Sequence, residues 1–276
     1  MIILDLQQVM LSNLLVSLGH MHTSVKIEEN LLRHMILNSI RSNISKFKNH
    51  GKLVIACDSR EYWRRNVFPY YKAHRKKNRD KIDLDWSKVF EILGAVKNEL
   101  KEYFPYPTVE VTGAEADDII AVLCRHTTEP TLILSADKDF VQLHNKLVTQ
   151  YDPIKKKAVK SDNPQTYLKE HVLRGDAGDG IPNVLSDDNC FVLGERQKPL
   201  TQKKLVELLS KEDTILNSLK NYHRNKQLID FTMIPADIEA AILQEFENQS
   251  DKDRSKLMTY FIKFKLKNLM SSLSDF

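Results

Sequence analysis

Leu53-Val54-Ile55-Ala56-Cys57-Asp58 is an apolar run closed by a carboxylate, the pattern of a buried strand. The run from Met1 to Leu6 has the same form around Asp5, and the apolar residues between Ile27 and His50 recur at helical spacing. Strand, helix and strand predict a βαβ unit, whose parallel strands end at one edge of a sheet. Asp5 and Asp58 are therefore expected to be neighbours at that edge, although 53 positions separate them.

The same alternation continues along the chain. Further strands are expected at Thr108 to Val111, Thr131 to Leu134 and Leu147 to Tyr151, and helices at Trp86 to Tyr103, Ala114 to His126, Pro164 to Arg174 and Thr201 to Ser210. Beyond Pro153 the pattern is helical. The sequence predicts an α/β fold with a central, mostly parallel sheet flanked by helices, followed by a helical C-terminal part.

Nine carboxylates fall at the predicted strand ends and in a Gly-Asp turn: Asp5, Asp58, Glu115, Asp117, Asp118, Asp137, Asp139, Asp176 and Asp179. Hard oxygen ligands without His or Cys favour Mg²⁺ or Mn²⁺ over zinc or copper. One such ion needs only one or two protein carboxylates, so this number favours two ions, the arrangement that serves phosphodiester displacement. Each acid alone could instead cap a helix or face solvent. Their gathering on one edge favours the metal interpretation.

Between Arg60 and Lys81 there are nine Lys or Arg against two acids, a net charge of +7, with Tyr and Trp interleaved. Such runs are usually solvated surface, but cations neutralise phosphates and aromatic rings stack on unpaired bases, which predicts a single-strand channel. Lys72 and Arg75 would share a helical face and could reach one phosphate. The candidate nucleic-acid-binding residues are Arg64, Arg65, Tyr71, Lys72, Arg75, Lys76, Lys77, Lys203 and Lys204.

Composition narrows the class of protein. Cys57, Cys124 and Cys190 lie far apart and fit no zinc spacing, so reduced core residues are expected. No apolar run reaches the roughly 18 residues of a membrane span, and no signal peptide is evident. A cytoplasmic protein is therefore expected, in the host cytoplasm if a phage encodes it.

Several motifs together resemble the structure-specific 5′ nuclease family, which includes flap endonucleases, the 5′-exonuclease domain of bacterial DNA polymerase I and, as its most similar branch, bacteriophage RNases H. The motifs are Asp5, Asp58, Tyr62-Trp63-Arg64-Arg65, Tyr71-Lys72-x-x-Arg75, Glu115-Ala116-Asp117-Asp118, Asp137-Lys138-Asp139, Gly175-Asp176-x-x-Asp179, Gly194-Glu195-Arg196 and Leu228-Ile229-Asp230-Phe231. The resemblance implies a PIN-like nuclease core over residues 1–174, with a helical arch at about 59–85. It also implies a helical DNA-binding part over residues 175–276 that contains a helix-three-turn-helix element.

The resemblance further implies a monomeric phosphodiester hydrolase that cleaves RNA in RNA–DNA hybrids and DNA at 5′ flaps, nicks, forks or ends, removing lagging-strand primers during replication. Asp5, Asp58, Glu115 and Asp117 match a first magnesium site, where Mn²⁺ can substitute, and Asp118 is expected to act there through water or through a neighbouring ligand. Asp137, Asp139, Asp176 and Asp179 match a second. Lys72 and Arg75 match arch residues that contact the scissile phosphate. Single-strand DNA-binding protein is the implied protein partner.

Two departures from the family pattern stand out. Val184-Leu185-Ser186-Asp187-Asp188-Asn189 replaces the usual Gly-x-Gly hairpin, which contacts the downstream duplex, and the chain begins directly at its first strand, which argues against a sliding-clamp contact. Two other classes of protein fit the sequence less well. A non-catalytic protein that binds forked DNA would gain affinity by shedding acids near phosphates. A small PIN-type RNase is disfavoured by chain length, the basic segment and the Gly-Asp turn.

Overall fold

The computed structural model describes residues 1–19, 28–79, 84–217, 219–249 and 252–276. A six-stranded sheet in the order β3-β2-β1-β4-β5-β6 forms its centre. The strands are β1 (Ile2–Asp5), β2 (Leu53–Ala56), β3 (Thr108–Val109), β4 (Thr131–Leu134), β5 (Val148–Asp152) and β6 (Lys157–Val159). Neighbouring strands from β3 to β5 are parallel, and β6 pairs antiparallel with β5. The prediction of a mostly parallel α/β sheet is confirmed.

Helices cover both faces of the sheet and form the C-terminal part. They are α1 (Leu6–Gly19), α2 (Glu29–Lys46), α3 (Trp63–Val67), α4 (His74–Arg79), α5 (Trp86–Tyr103), α6 (Ala116–His126), α7 (Pro164–Arg174), α8 (Cys190–Leu193), α9 (Gln202–Leu209), α10 (Asp213–Asn217), α11 (Lys220–Ile229), α12 (Ala236–Asn248), α13 (Leu257–Lys263) and α14 (Lys267–Met270). Short 3-10 turns lie at Lys48–His50, Lys138–Leu143, Phe231–Met233 and Leu273–Asp275.

Alternation along the strands builds two apolar layers. Ile3 faces a core shared with α6 and α12, whereas Leu4 faces one shared with α1, α2, α5 and α13. Both side chains are fully buried, which is why the strand is apolar throughout rather than alternating with polar residues. A third apolar cluster joins α7, α9 and α11 to Phe68 and Tyr71 of the basic segment. The C-terminal helices thereby hold the base of that segment against the sheet edge.

Capping side chains account for several helix starts. Asp85 accepts the backbone N–H of Lys88 at 3.0 Å, and Asn163 accepts that of Thr166 at 3.0 Å, with Pro164 at the first helical position. These bonds satisfy N–H groups that have no partner inside their helices. The predicted helix from Pro164 to Arg174 is confirmed at both ends.

Some predicted boundaries were wrong. Leu6 does not end a strand but begins α1, which was not predicted, and β3 ends at Val109 rather than Val111. Helix α6 starts at Ala116 because Glu115 occupies its N-cap position. The short strand β6 was also missed.

The structure also bears on the predictions made for the basic segment, the three cysteines and membrane-spanning helices. The segment carries α3 and α4 where an arch was predicted, and residues 80–83 of that range lie outside the described chain, as does Ile27. The three cysteines are buried and unpaired, as predicted. Among the described helices, none has the length and apolar character needed to cross a bilayer.

Candidate active site

The carboxyl ends of β1 and β2 bring two of the predicted acids to one edge. Asp5 ends β1 and is 7% exposed; it accepts the backbone N–H of Gln8 at 3.0 Å and the hydroxyl of Ser135 at 3.2 Å. Asp58 lies just beyond the adjacent strand β2 and accepts the backbone N–H of Ala116 at 2.7 Å. The start of α6 is thereby tied to the sheet edge.

A buried arginine holds two acids of the cluster that opens α6. Arg64 donates from both terminal nitrogens to Asp118, at 2.9 and 2.7 Å, and from one of them to Glu115 at 2.8 Å. The indole of Trp63 donates to Asp118 at 3.1 Å, and Asp118 accepts the backbone N–H of Glu115 at 3.0 Å. Buried carboxylates need such partners, because an unpaired buried charge is costly.

These contacts concern the roles predicted for Arg64 in nucleic-acid binding and for Asp118 in metal binding. Arg64 is 2% exposed, so its guanidinium faces carboxylates rather than the surface where nucleic acid would lie. Asp118 is fully buried with each oxygen already accepting hydrogen bonds, an arrangement that positions Glu115. A metal-binding role for Asp118 and a nucleic-acid-binding role for Arg64 remain predictions.

The basic segment places three side chains over the acids. The Lys72 ammonium lies 2.5 Å from Glu115 Oε1 and 3.5 Å from Asp179 Oδ2, and Arg75 forms an ion pair with Asp179. The Tyr71 hydroxyl lies 2.9 Å from Glu115 Oε2 and 2.8 Å from Asp179 Oδ2, and its one proton can serve either. The backbone N–H of Lys72 also donates to the Asp179 carbonyl at 2.7 Å. The segment and the Gly-Asp turn thus meet at these residues.

The Gly-Asp turn after α7 depends on a glycine. Gly175 has φ of 68°, and a Cβ there would lie 2.5 Å from the Pro182 carbonyl oxygen. Only glycine fits such a position. Within the turn, Asp176 Oδ1 accepts the backbone N–H of Asp179 at 3.1 Å, which fixes the two carboxylates relative to each other.

A histidine joins the second group of acids. His171 Nε2 on α7 lies 3.0 Å from Asp139 Oδ1 and 3.8 Å from Asp176 Oδ2, and the ligand atoms of all three residues lie within 4.8 Å of one another. The sequence-based prediction included no histidine in this group of acids, and the structure places one beside it. The sequence signal that could have indicated His171 is its distance from the Gly-Asp turn. His171 lies one helical turn before Gly175, and the backbone N–H of Gly175 donates to the His171 carbonyl at 2.9 Å.

Burial and neighbouring carboxylates raise the pKa values of several of these acids. Burial is the first cause that raises the pKa of Asp5 to about 6 and that of Asp137 to about 7, and neighbouring carboxylates add to it. Burial and nearby acids also raise the pKa of Asp117 well above its ordinary value, and those of Asp58 and Asp176 less strongly.

For two further groups, charged neighbours shift the pKa in the direction opposite to the effect of burial. Burial acts to raise the pKa of Asp179, but Lys72 and Arg75 outweigh it and hold that pKa below its ordinary value. Burial acts to lower the pKa of His171, but Asp139 and Asp176 raise it. Lys72, Arg75 and His171 thus partly compensate the negative charge of these acids.

The remaining candidates surround this centre. Arg65, Lys76, Lys77 and Lys203 are exposed, and the Arg65 guanidinium lies 4.9 Å from the centre of the Tyr62 ring. Lys204 pairs with Glu207 on the exposed face of α9 at 3.0 Å. Their positions allow contact with a nucleic-acid backbone, which remains a prediction.

A parallel sheet whose carboxyl edge gathers acids beneath basic side chains defines an acid-centred α/β nuclease. A family model described as the 5′-3′ exonuclease N-terminal resolvase-like domain matches residues 7–172, and another, described as the C-terminal part of T4 RNase H, matches residues 163–276. The chain belongs to this 5′-3′ exonuclease family, and it is a phosphodiester hydrolase related to phage RNase H.

Individual relatives agree with this assignment. The Ribonuclease H of Enterobacteria phage T4 is 35% identical over 99% of this chain and 95% of its own length. A 5′-3′ exonuclease of Buchnera aphidicola (Acyrthosiphon pisum strain APS) is 31% identical over 54% of each chain. The bacteriophage T5 D15 flap endonuclease, solved with DNA and metal ions, has 16% identity and a TM-score of 0.64 over 91% of this chain and 99% of its own. This last likeness shows the shared fold.

Proposed function

We propose that this nuclease uses Mg²⁺ to cleave, in the 5′ to 3′ direction, RNA in RNA–DNA hybrids and DNA at 5′ ends, nicks, forks and flaps. The observation that carries the proposal is the placement of Lys72 and Arg75 directly against the acidic edge, in contact with Glu115 and Asp179. Cationic side chains in that position can bind a phosphate that metal ions held by the acids would also contact. The names of the phage T4 and T5 relatives support the substrate class.

The acids fit hard divalent cations in two groups. Asp5, Asp58, Glu115 and Asp117 would hold one ion; Asp137, Asp139, Asp176 and Asp179 would hold the other, with Asp118 acting through water or through Glu115. Burial, with added repulsion from neighbouring carboxylates, raises the pKa values of Asp5, Asp117 and Asp137, and a bound cation would favour their charged forms. When bound, such ions supply Lewis-acid stabilisation of the phosphate and lower the pKa of the attacking water. Mg²⁺ is the expected ion, and Mn²⁺ can replace it.

The protein's own side chains would orient the scissile phosphate and neutralise its charge. Lys72 and Arg75 would exchange their carboxylate partners for the scissile phosphate and stabilise the charge that develops on it. Arg64 fixes the start of α6 through its hydrogen bonds to Glu115 and Asp118. The Tyr71 hydroxyl lies within hydrogen-bond distance of both Glu115 and Asp179 and can donate its proton to either of them.

Substrate binding would extend beyond this centre. Exposed Arg65, Lys76 and Lys77 within the predicted arch, and Lys203 and Lys204 on α9, would contact phosphates. We assign residues 1–174 to the nuclease core and residues 175–276 to a helical DNA-binding part that also supplies Asp176 and Asp179. The protein would act as a monomer that removes lagging-strand primers. It would work beside single-strand DNA-binding protein, in the cytoplasm where the DNA is replicated.

A labelled substrate tests the proposal. A 5′-flap oligonucleotide and a matched RNA-primed duplex should both be shortened from the 5′ side when Mg²⁺ is added and spared when EDTA is present. Binding of both substrates without shortening would overturn the proposal in favour of a non-catalytic DNA-binding protein. The ratio of the two cleavage rates ranks RNA against DNA as substrate.

A further inference from the structure

His171 is held in a fixed orientation beside the second group of acids. Its ring stacks on Tyr167, one turn earlier in α7, with ring centroids 5.9 Å apart and planes inclined by 20°. Its side chain is 17% exposed, and the Nε2 atom itself is buried. The packing therefore aims one ring nitrogen into the space between Asp139 and Asp176.

That nitrogen is at ion-pair distance from one of the acids but lacks the alignment of a hydrogen bond. Nε2 lies 3.0 Å from Asp139 Oδ1, yet within the described chain it has no partner aligned for a hydrogen bond. A buried polar nitrogen without an aligned partner is rare and needs an explanation. Two ligand atoms that bind one octahedral ion at about 2.1 Å and at right angles lie roughly 3.0 Å apart. The separation of Nε2 and Oδ1 equals that spacing.

We propose that His171 Nε2 is a nitrogen ligand of the cation held by Asp139 and Asp176, and that it shifts this position's preference from Mg²⁺ toward transition ions such as Mn²⁺ and Co²⁺. The inference rests on the proposed metal centre. Imidazole is a softer ligand than carboxylate, and Mg²⁺ binds almost entirely through oxygen. An all-carboxylate position would show a weaker preference for these transition ions.

Spin-echo spectroscopy of the full chain loaded with Mn²⁺ tests the ligand directly. Protein with ordinary histidine should show ¹⁴N modulation from a directly bound nitrogen, and protein grown with ¹⁵N-histidine should lose it. His171→Asn and Asp139→Asn should each abolish the signal. His126→Asn should keep it, because His126 pairs with Glu239 at the far end of α6.

Titration calorimetry supplies the second readout. His171→Asn should weaken Mn²⁺ binding at this position at least about tenfold while changing Mg²⁺ binding much less. If His171→Asn does not fold, as judged by circular dichroism, the isotope comparison on the unmodified chain decides alone. Two bound Mn²⁺ ions without nitrogen modulation would overturn the proposal and leave His171 as a counter-charge to Asp139. Failure of Mn²⁺ and Mg²⁺ to bind at all would overturn the metal centre itself, and this inference with it.

Discussion

The ammonium of Lys72 lies 2.5 Å from Oε1 of Glu115, a carboxylate whose side chain is only 2% exposed. Lys72 also has a left-handed backbone conformation, with φ of 57°, and its N–H is bound to the Asp179 carbonyl. A non-glycine residue in this region is uncommon and is retained where surrounding contacts impose it. The lysine is thus positioned over the acids before any substrate arrives.

Lys72→Ala tests that placement. Because the ammonium would stabilise charge on the scissile phosphate, single-turnover cleavage of a 5′ flap should fall about 10² to 10³-fold, while the Kd for DNA changes a few-fold. Lys77→Ala, which removes an exposed charge from the same segment, should weaken binding slightly and leave single-turnover cleavage near that of the parent chain. Equal effects of Lys72→Ala on Kd and cleavage would make Lys72 a phosphate anchor.

Arg64→Met tests the buried ion-pair network. Removing the guanidinium leaves Glu115 and Asp118 buried without their main cation, so the free energy of unfolding should fall by about 3–5 kcal/mol in urea titrations. Arg65→Met removes a neighbouring exposed arginine and should cost less than about 1 kcal/mol. Similar losses for the two variants would show that Arg64 does not hold the acids.

Gly175→Ala and Gly194→Ala form a matched pair. Both glycines end helices with positive φ, 68° and 77°, but a Cβ at Gly194 meets nothing within 4 Å, whereas one at Gly175 collides with the Ile181 and Pro182 carbonyls. Gly194→Ala should cost about 1 kcal/mol of unfolding free energy, and Gly175→Ala about 3 kcal/mol or more. Only Gly175→Ala should also weaken Mn²⁺ binding, measured by calorimetry, because the turn positions Asp176 and Asp179. Equal losses would contradict the steric account.

The raised pKa values predict a pH dependence for the metal-free protein. A carboxyl whose pKa rises on folding contributes stability below its unfolded pKa and loses it as pH rises through the folded value. For Asp5 the stability is lost between about pH 4 and pH 6, and the loss in unfolding free energy is about 3 kcal/mol. For Asp137 the pH range extends to about 7.

Melting curves in EDTA measure this effect. The melting temperature of Asp137→Asn relative to the parent chain should rise between about pH 4 and 7, because the amide removes a charge that the parent must bury. Saturating Mg²⁺ should shrink or reverse the difference. A difference that stays constant with pH would show that Asp137 is not protonated in the metal-free fold.

Local pattern was enough to predict most of the sheet and the edge where the acids gather. Each predicted strand was a short apolar run with a following acid or turn, and parallel strands bring those ends together whatever their spacing. Helix α1 was missed because it follows β1 without a break and its apolar residues do not form one clear stripe. Strand β6 was missed because its three residues carry no apolar run.

Tertiary pairing could not be predicted from spacing. The contact between Arg64 and Asp118 joins residues 54 positions apart, and a basic run gave no sign that one of its arginines is buried. His171 is an ordinary helix residue until the fold brings Asp139 beside it. In both cases the partner comes from another element of the fold.

Single-turnover cleavage by Asp137→Asn at saturating Mg²⁺ tests the central claim most directly, with DNA binding measured in parallel on the same 5′-flap substrate. The substitution keeps the size of the side chain and removes one carboxylate from the second group of acids. We predict that binding stays within a few-fold of the parent chain and that cleavage falls by at least about 10³-fold. Undiminished cleavage with normal binding would contradict the assignment of the acidic edge as the metal centre.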